Sequence, residues 1–222
     1  MNKQNAITAL ELSAESYYPS GISSCKSDIY KAIEDPVTNT ECFVKTEKDK
    51  LFIVFRGTDS KINRINNFCF AKKTIPYGNT HSNIRVHCGF LKSYSSVRKK
   101  IHKIINPGIC KIILTGHSLG AALAVLCAVD LQYNFPQNDI EVYAFGCPRV
   151  GNAAFARSYN KRVFKTLRFN NGNDIVTKLP PVIFGFRHIG TEIHIGKARL
   201  PFCMSFKAHL PQNYYKNLWK ET

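Results

Sequence analysis

The chain has 222 residues, 44% hydrophobic and 21% charged, a balance that suits one sizeable globular core and is short for two. No apolar run approaches the roughly 20 residues a membrane-spanning helix needs, and eight scattered cysteines without a C-x-x-C pair give no zinc motif. The net charge of +16 is uneven: residues 1–50 carry six basic and eight acidic side chains, the rest 25 basic and seven acidic. Such an excess attracts a polyanion such as a phosphate-bearing lipid surface.

In chain order, ITALELSAESYY has helical spacing through Ile7, Leu10 and Ala14. IYKAIED, TECFVKTE and LFIVFRGT read as strands separated by turns at Pro36–Asn39 and Lys48–Lys50. Residues 61–85 are basic and irregular. From Phe90 the apolar positions Tyr94, Val97, Ile101 and Ile104 mark one face of a helix, which Pro107-Gly108 ends. CKIILTG is a β-branched run followed by HSLG and the nearly all-apolar AALAVLCAVDLQ, a buried helix. Further strands are expected at IEVYAFG, VFKTLRFN and FGFRHIGTEIHI, and NYYKNLWK closes the chain as an amphipathic segment. The expectation is an α/β fold with a mostly parallel central sheet and helices on both faces, one domain over 1–222. With no repeat, linker or apolar leader, and with cysteines lying in apolar runs, a cytoplasmic protein with reduced thiols is expected.

Gly116-His117-Ser118-Leu119-Gly120 matches G-x-S-x-G between an apolar strand and a small-residue helix, the setting of a nucleophile elbow. A turn that tight leaves no space for Cβ atoms at the glycines. It exposes the serine Oγ, and the helix N-terminus favours a developing oxyanion. Serine needs a histidine base, and the histidine an acid to fix its tautomer. The acids after Ser118 are Asp130, Asp139, Glu141, Asp174, Glu192 and Glu221. Asp130 lies on the buried helix, Asp139 and Glu141 precede a strand, and Glu192 is inside one. Asp174, just past VFKTLRFN, stands where acids belong in such sheets. His188 and His194 fall within the presumed last strand, spaced for one face, whereas His209 occupies a loop before the last helix and is the expected base.

These residues resemble the class 3 lipases, the fungal-lipase-like branch of the α/β-hydrolase fold. The resemblance runs through IVFRGTDS (53–60), VHCGF (86–90), LTGHSLGAALA (114–124), FGCPRVGN (145–152), FNNGNDIVTKLPP (169–181), FRHIGTEI (186–193) and AHLPQNYY (208–215). It implies a triad of Ser118, Asp174 and His209, with Thr58 and Leu119 forming the oxyanion hole. Thr58 follows a strand end with a glycine hinge and offers N–H and hydroxyl; Leu119 offers its N–H. His87, His117 and His188 read as packing and hydrogen-bonding residues, and Cys147 as a packed thiol. Residues 58–73 take the place of the family's lid but read SKINRINNFCFAKK from Ser60 onward, with Phe68 for the tryptophan of the family's N-W-x-x-D-like run and that run's acidic residue absent. The lid is therefore expected to be basic.

The expected activity is a serine carboxylic-ester hydrolase on acylglycerol or phospholipid, needing no cofactor or metal and touching anionic membrane surfaces peripherally. Nucleic acid is not an expected partner, because basic residues are not interleaved with stacking aromatics. The oligomeric state is not legible. The alternative is an inactive lipid- or polyanion-binding module on the same fold.

Overall fold

The computed structural model describes residues 3–18, 30–58, 71–74, 83–197 and 203–220. Twelve of the sixteen positions in the expected lid, 59–70, lie outside these, as do Phe68 and Phe70.

Seven strands form the main sheet in the order β1 (Tyr30–Asp35), β2 (Thr40–Glu47), β3 (Lys50–Phe55), β6 (Lys111–His117), β7 (Asp139–Phe145), β9 (Thr166–Asn171) and β11 (Thr191–Ile195). The first three run antiparallel as a meander, and from β3 onward every neighbour is parallel. The meander turns are set locally. The Asp35 carboxylate accepts from Thr38 N at 2.8 Å and Thr38 Oγ1 at 2.7 Å, while Asn39 and Lys48 take positive φ. The parallel half needs crossovers, and the helices supply them.

Helix α1 (Lys3–Glu15) lies on one sheet face with α5 (Pro211–Lys220), packing Leu10, Tyr214 and Leu218 over Phe145 and Phe169. On the other face lie α2 (Cys88–His102), α3 (Leu119–Asn134) and α4 (Ala153–Arg162). The interior of α3 is apolar all round because strands lie beneath it and helices flank it. His87 caps α2, its Nδ1 accepting from Phe90 N at 3.3 Å.

A small second sheet runs β10 (Phe186–Arg187), β8 (Gly151–Asn152), β5 (Arg85–His87) and β4 (Lys72–Thr74). It corrects the reading of FGFRHIGTEIHI as one strand. Gly190, at φ +63°, breaks the run, so β10 joins the small sheet and β11 the main one. His188 falls between them, not on a shared face with His194. Helix α4 was not singled out from periodicity: only Phe155, Ala156 and Tyr159 are buried along its ten residues. Its signal was Asn152, whose side chain caps Phe155 N at 2.9 Å.

Asp130, fully buried on α3, welds α2 to α3. It accepts from Tyr94 Oη at 2.5 Å, from Arg98 through Nε at 2.8 Å and Nη2 at 2.9 Å, and from Asn134 Nδ2 at 2.9 Å, with His102 Nε2 at 2.7 Å. A buried carboxylate is tolerable only when so surrounded. Asp130→Ala is expected to cost about 2–4 kcal/mol of unfolding free energy in urea titrations. A loss under about 1 kcal/mol would show that the cluster is not structural.

Candidate active site

Strand β6 ends at His117 and α3 begins at Leu119, so Ser118 alone makes the turn, at φ +60° and ψ −123°. That conformation costs a non-glycine residue about 1–3 kcal/mol and persists only where its surroundings impose it. Ser118 N donates to Phe145 O at 2.9 Å, and Ser118 O accepts from Ala121 N at 3.1 Å. A Cβ on Gly116 would sit 2.4 Å from the Gly120 carbonyl carbon, and one on Gly120 would sit 2.1 Å from Phe55 O. Both glycines are therefore demanded by strand–helix proximity.

Asp174 follows β9 and His209 ends a 3-10 turn (Lys207–His209) just before α5. Their loops are joined by backbone: Ser205 N donates to Asn173 O at 2.9 Å and Ile175 N to Ser205 O at 3.4 Å. The structure brings Ser118, His209 and Asp174 into one line. His209 Nδ1 is 2.8 Å from Asp174 Oδ2, and His209 Nε2 is 2.8 Å from Ser118 Oγ. With Nδ1–H donating to the carboxylate, Nε2 is left to accept the serine proton. All three residues are buried, with His209 exposed by only 3%.

Thr58 lies three residues past β3, and Leu119 is the first residue of α3, whose N–H has no acceptor within its own helix. The two line one small cavity.

Other contacts were not legible. Tyr214 on α5, fully buried, donates Oη–H to Asp174 Oδ2 at 2.5 Å and accepts from Asn171 N at 3.2 Å. Burial, then the Asp174 charge, pushes this phenol well above its ordinary range, so it stays a donor. Val176 N satisfies Asp174 Oδ1 at 2.8 Å. Gly146, at φ +59°, lies against the imidazole: a Cβ there would be 2.9 Å from His209 Cε1 and 3.2 Å from Asp174 Oδ2. His117 Nε2–H donates to the His209 carbonyl at 2.7 Å, so its Nδ1 accepts from Tyr17 Oη at 2.9 Å. Only an unexpected arginine in the apolar run FGCPRVGN could have marked Arg149. It clamps the loop after Asp174, with Nη1 donating to Lys178 O and, at 2.9 Å, to Pro180 O, and its own N to Leu179 O at 2.7 Å.

Cys147 is buried with its thiol pushed up to about 12 by desolvation, an unreactive packed group. His188 donates Nε2–H to Thr177 O at 2.8 Å. Burial first, then the Arg168 and Arg149 charges, lower its pKa to about 3. Among the described residues no cluster of three metal-binding side chains occurs and no helix is long and apolar enough to cross a membrane.

A family described as lipase (class 3) matches residues 52–184. A secreted mono- and diacylglycerol lipase of Fusarium solani is 34% identical over 164 residues, 70% of this chain and 47% of that protein. A chloroplastic phospholipase A(1) of Arabidopsis thaliana is 33% identical over 150 residues, 59% of this chain and 34% of that protein. The solved structure of Rhizomucor miehei triacylglyceride lipase superposes with a TM-score of 0.78 at 30% identity, covering 89% of this chain and 82% of that one. The chain spans less than half the length of the Fusarium relative.

The Fusarium relative is a secreted enzyme, which overturns the cytoplasmic expectation. The cysteines do not support that expectation either. Cys42, Cys127 and Cys147 are fully buried small hydrophobes, so packing, not compartment, accounts for them.

Because His188 stays neutral in the folded chain down to about pH 3, acidification favours the unfolded state, which takes up a proton near pH 6.5. Stability should therefore fall as pH drops from about 6.5 towards 3, and His188→Gln should flatten that fall. Urea midpoints of both proteins between pH 7 and 4 check this; parallel curves would contradict it.

Proposed function

The chain belongs to the class 3 lipase family, and on that footing we propose that residues 1–222 act as one catalytic domain, a serine carboxylic-ester hydrolase of lipids. The observation that carries the reading is the unbroken line Ser118–His209–Asp174 beneath a strained elbow.

Ser118 Oγ attacks the ester carbonyl carbon as His209 Nε2 takes its proton. Asp174 holds the resulting imidazolium, and the Tyr214 and Val176 donors keep the carboxylate in place. The N–H groups of Thr58 and Leu119, with the Thr58 hydroxyl, stabilise the oxyanion, one such donor being worth about 3 kcal/mol. Collapse expels the alcohol, protonated by His209. Water, deprotonated by the same nitrogen, then attacks the acyl carbon, and His209 passes that proton to Ser118 Oγ as the carboxylic acid leaves.

Acylglycerol and phospholipid both suit this chemistry, and the relatives named above include both kinds of enzyme. An anionic lipid surface is the proposed contact. Ile183, Phe184, Met204 and Phe206 stand exposed in the loops that follow Asp174 and precede His209, with Arg187 and Lys207 exposed among them. Apolar tips in the loops that carry the acid and base, ringed by cations, fit a bilayer interface rather than an aqueous rim.

Fluorophosphonate labelling and nitrophenyl-ester turnover test the reading. Labelling at Ser118, lost in Ser118→Ala, is expected, and an unlabelled folded protein would favour the inactive binding module. Thr58→Val should lower kcat about tenfold to hundredfold, less than Ser118→Ala. Tyr214→Phe should lower it by about tenfold, with Asp174→Asn costing far more.

Hydrolysis of phosphatidylglycerol vesicles should weaken as salt rises, because exposed charges are screened within about 10 Å at 0.1 M. Ile183→Ser with Phe206→Ser should reduce vesicle turnover more than turnover of a short soluble ester. Salt-independent vesicle turnover would rule out electrostatic docking.

A further inference from the structure

The chain enters the parallel strands β3, β6, β7 and β9 at the end of the main sheet away from Ser118. Lys50, Lys111 and Asp139, the first residues of β3, β6 and β7, are register partners across that end. Helices α2, α3 and α4 run back to it, because each leads into the start of the next parallel strand. Six cations with neither an ion pair nor a side-chain hydrogen bond among the described residues stand exposed there. They are Lys48 and Lys50 at the β2–β3 turn, Lys99 and Lys103 at the end of α2, and Lys161 and Arg162 at the end of α4. The neighbouring acids are mostly taken. Asp139 pairs with Lys165 at 2.6 Å, Glu141 with Lys111 at 2.7 Å and Glu47 with Lys45, which leaves Asp49. Helix ends account for part of the charge. Three of them bring about −1.5 elementary charges and Asp49 one more, so about three of the six cations are left over.

We propose that this end of the molecule binds an acidic polysaccharide while the site at Ser118 stays open. Separation is the first argument. The seven residues of β6, at about 3.3 Å each, put the cations roughly 20 Å from Ser118. A bilayer docked on them would hold the elbow on the far side of the sheet from its lipids, so this is the wrong end for the substrate interface. Breadth is the second. From β3 to β9 the sheet spans three strand spacings, about 14 Å, with the ends of α2 and α4 beside it. Cations spread over such a field meet the repeated anions of an extended polymer, whereas a single small anion calls for donors that converge on one point. The third argument is Phe164, 73% exposed between Arg162 and Lys165 in the chain. Its apolar face suits the C–H face of a pyranose ring, and the cations around it suit that ring's carboxylate or sulfate groups. Base stacking would call for a run of such rings, and residues 157–165 carry Phe164 as their one exposed aromatic. Polymer held here turns the catalytic end outward, away from the matrix.

Binding of fluorescent dextran sulfate to the purified chain at about 0.1 M salt tests the assignment. Lys99→Gln, Lys103→Gln, Lys161→Gln and Arg162→Gln together should weaken it about tenfold or more and flatten its salt dependence. A charge-matched variant on the small sheet and the loop of His209, with Lys73, Arg85, Arg187 and Lys207 each changed to Gln, should weaken it less than about threefold. Lys48→Asn with Lys50→Gln repeats the test away from the helix ends, since Asn tolerates the φ of +54° at position 48, and should weaken binding several-fold. Phe164→Ser should lower affinity for dextran sulfate and leave affinity for polyphosphate, which has no rings, unchanged. Saturating dextran sulfate should leave turnover of nitrophenyl butyrate unchanged; this arm alone needs the hydrolase reading, and the binding arms stand without it. Equal losses in the two four-residue variants would show attraction to net charge alone and overturn the assignment. So would inhibition of the soluble ester by the polymer, unchanged affinity in the turn variant, or an equal loss of polyphosphate binding in Phe164→Ser. Tighter binding of single-stranded DNA or phosphatidylglycerol vesicles through the same four helix-end residues would overturn it too.

Discussion

The site hangs on the approach of β6 to α3, where the chain reverses within one residue. Gly116 touches the Gly120 carbonyl and Gly120 lies against the end of β3, so strand, helix and neighbouring strand meet at van der Waals limits. With no side chain at either glycine, Ser118 is forced into a left-handed conformation and its Oγ is presented to His209. The same compression stacks the start of α3 on the end of β3, which sets Leu119 beside the turn carrying Thr58. The proposed nucleophile and oxyanion donors are thus placed by one packing contact between β6, β3 and the buried helix α3.

The proposed acid and base are delivered differently. They come from loops beyond the sheet that are bonded to each other and, through Asn171, to β9. Segment 146–149 then serves both: Gly146 gives the imidazole its space, and Arg149 grips the carbonyls behind Asp174. Tyr214 closes the arrangement from α5. Each contact holds Asp174, His209 or the loop behind them in place.

What was legible in the sequence is what local pattern encodes. Alternation and β-branched runs located the strands, and the apolar run after Ser118 marked its own burial. The strand–turn–helix setting picked out the serine, and position after a strand picked out Asp174 over Asp130, whose charge goes into joining α2 to α3. The break at Gly190 was hidden because a glycine inside an apolar run reads equally as a bulge or a stop; the positive φ decides, and φ is not in the composition. Helix α4 was hidden because it buries few side chains. Tyr214, Gly146, Arg149 and the Tyr17–His117 link depend on residues far apart in the chain coming together, which no window of neighbours reports.

The parts of the proposed site are spread widely along the chain: Ser118 precedes His209 by 91 residues and Tyr214, which bonds the Asp174 carboxylate, by 96. On the proposed reading, a chain with its central strands and α3 folded, but with the segment around His209 not yet in place, holds a serine without its base. Such a hydrolase is armed by a long-range closure rather than by the folding of its elbow.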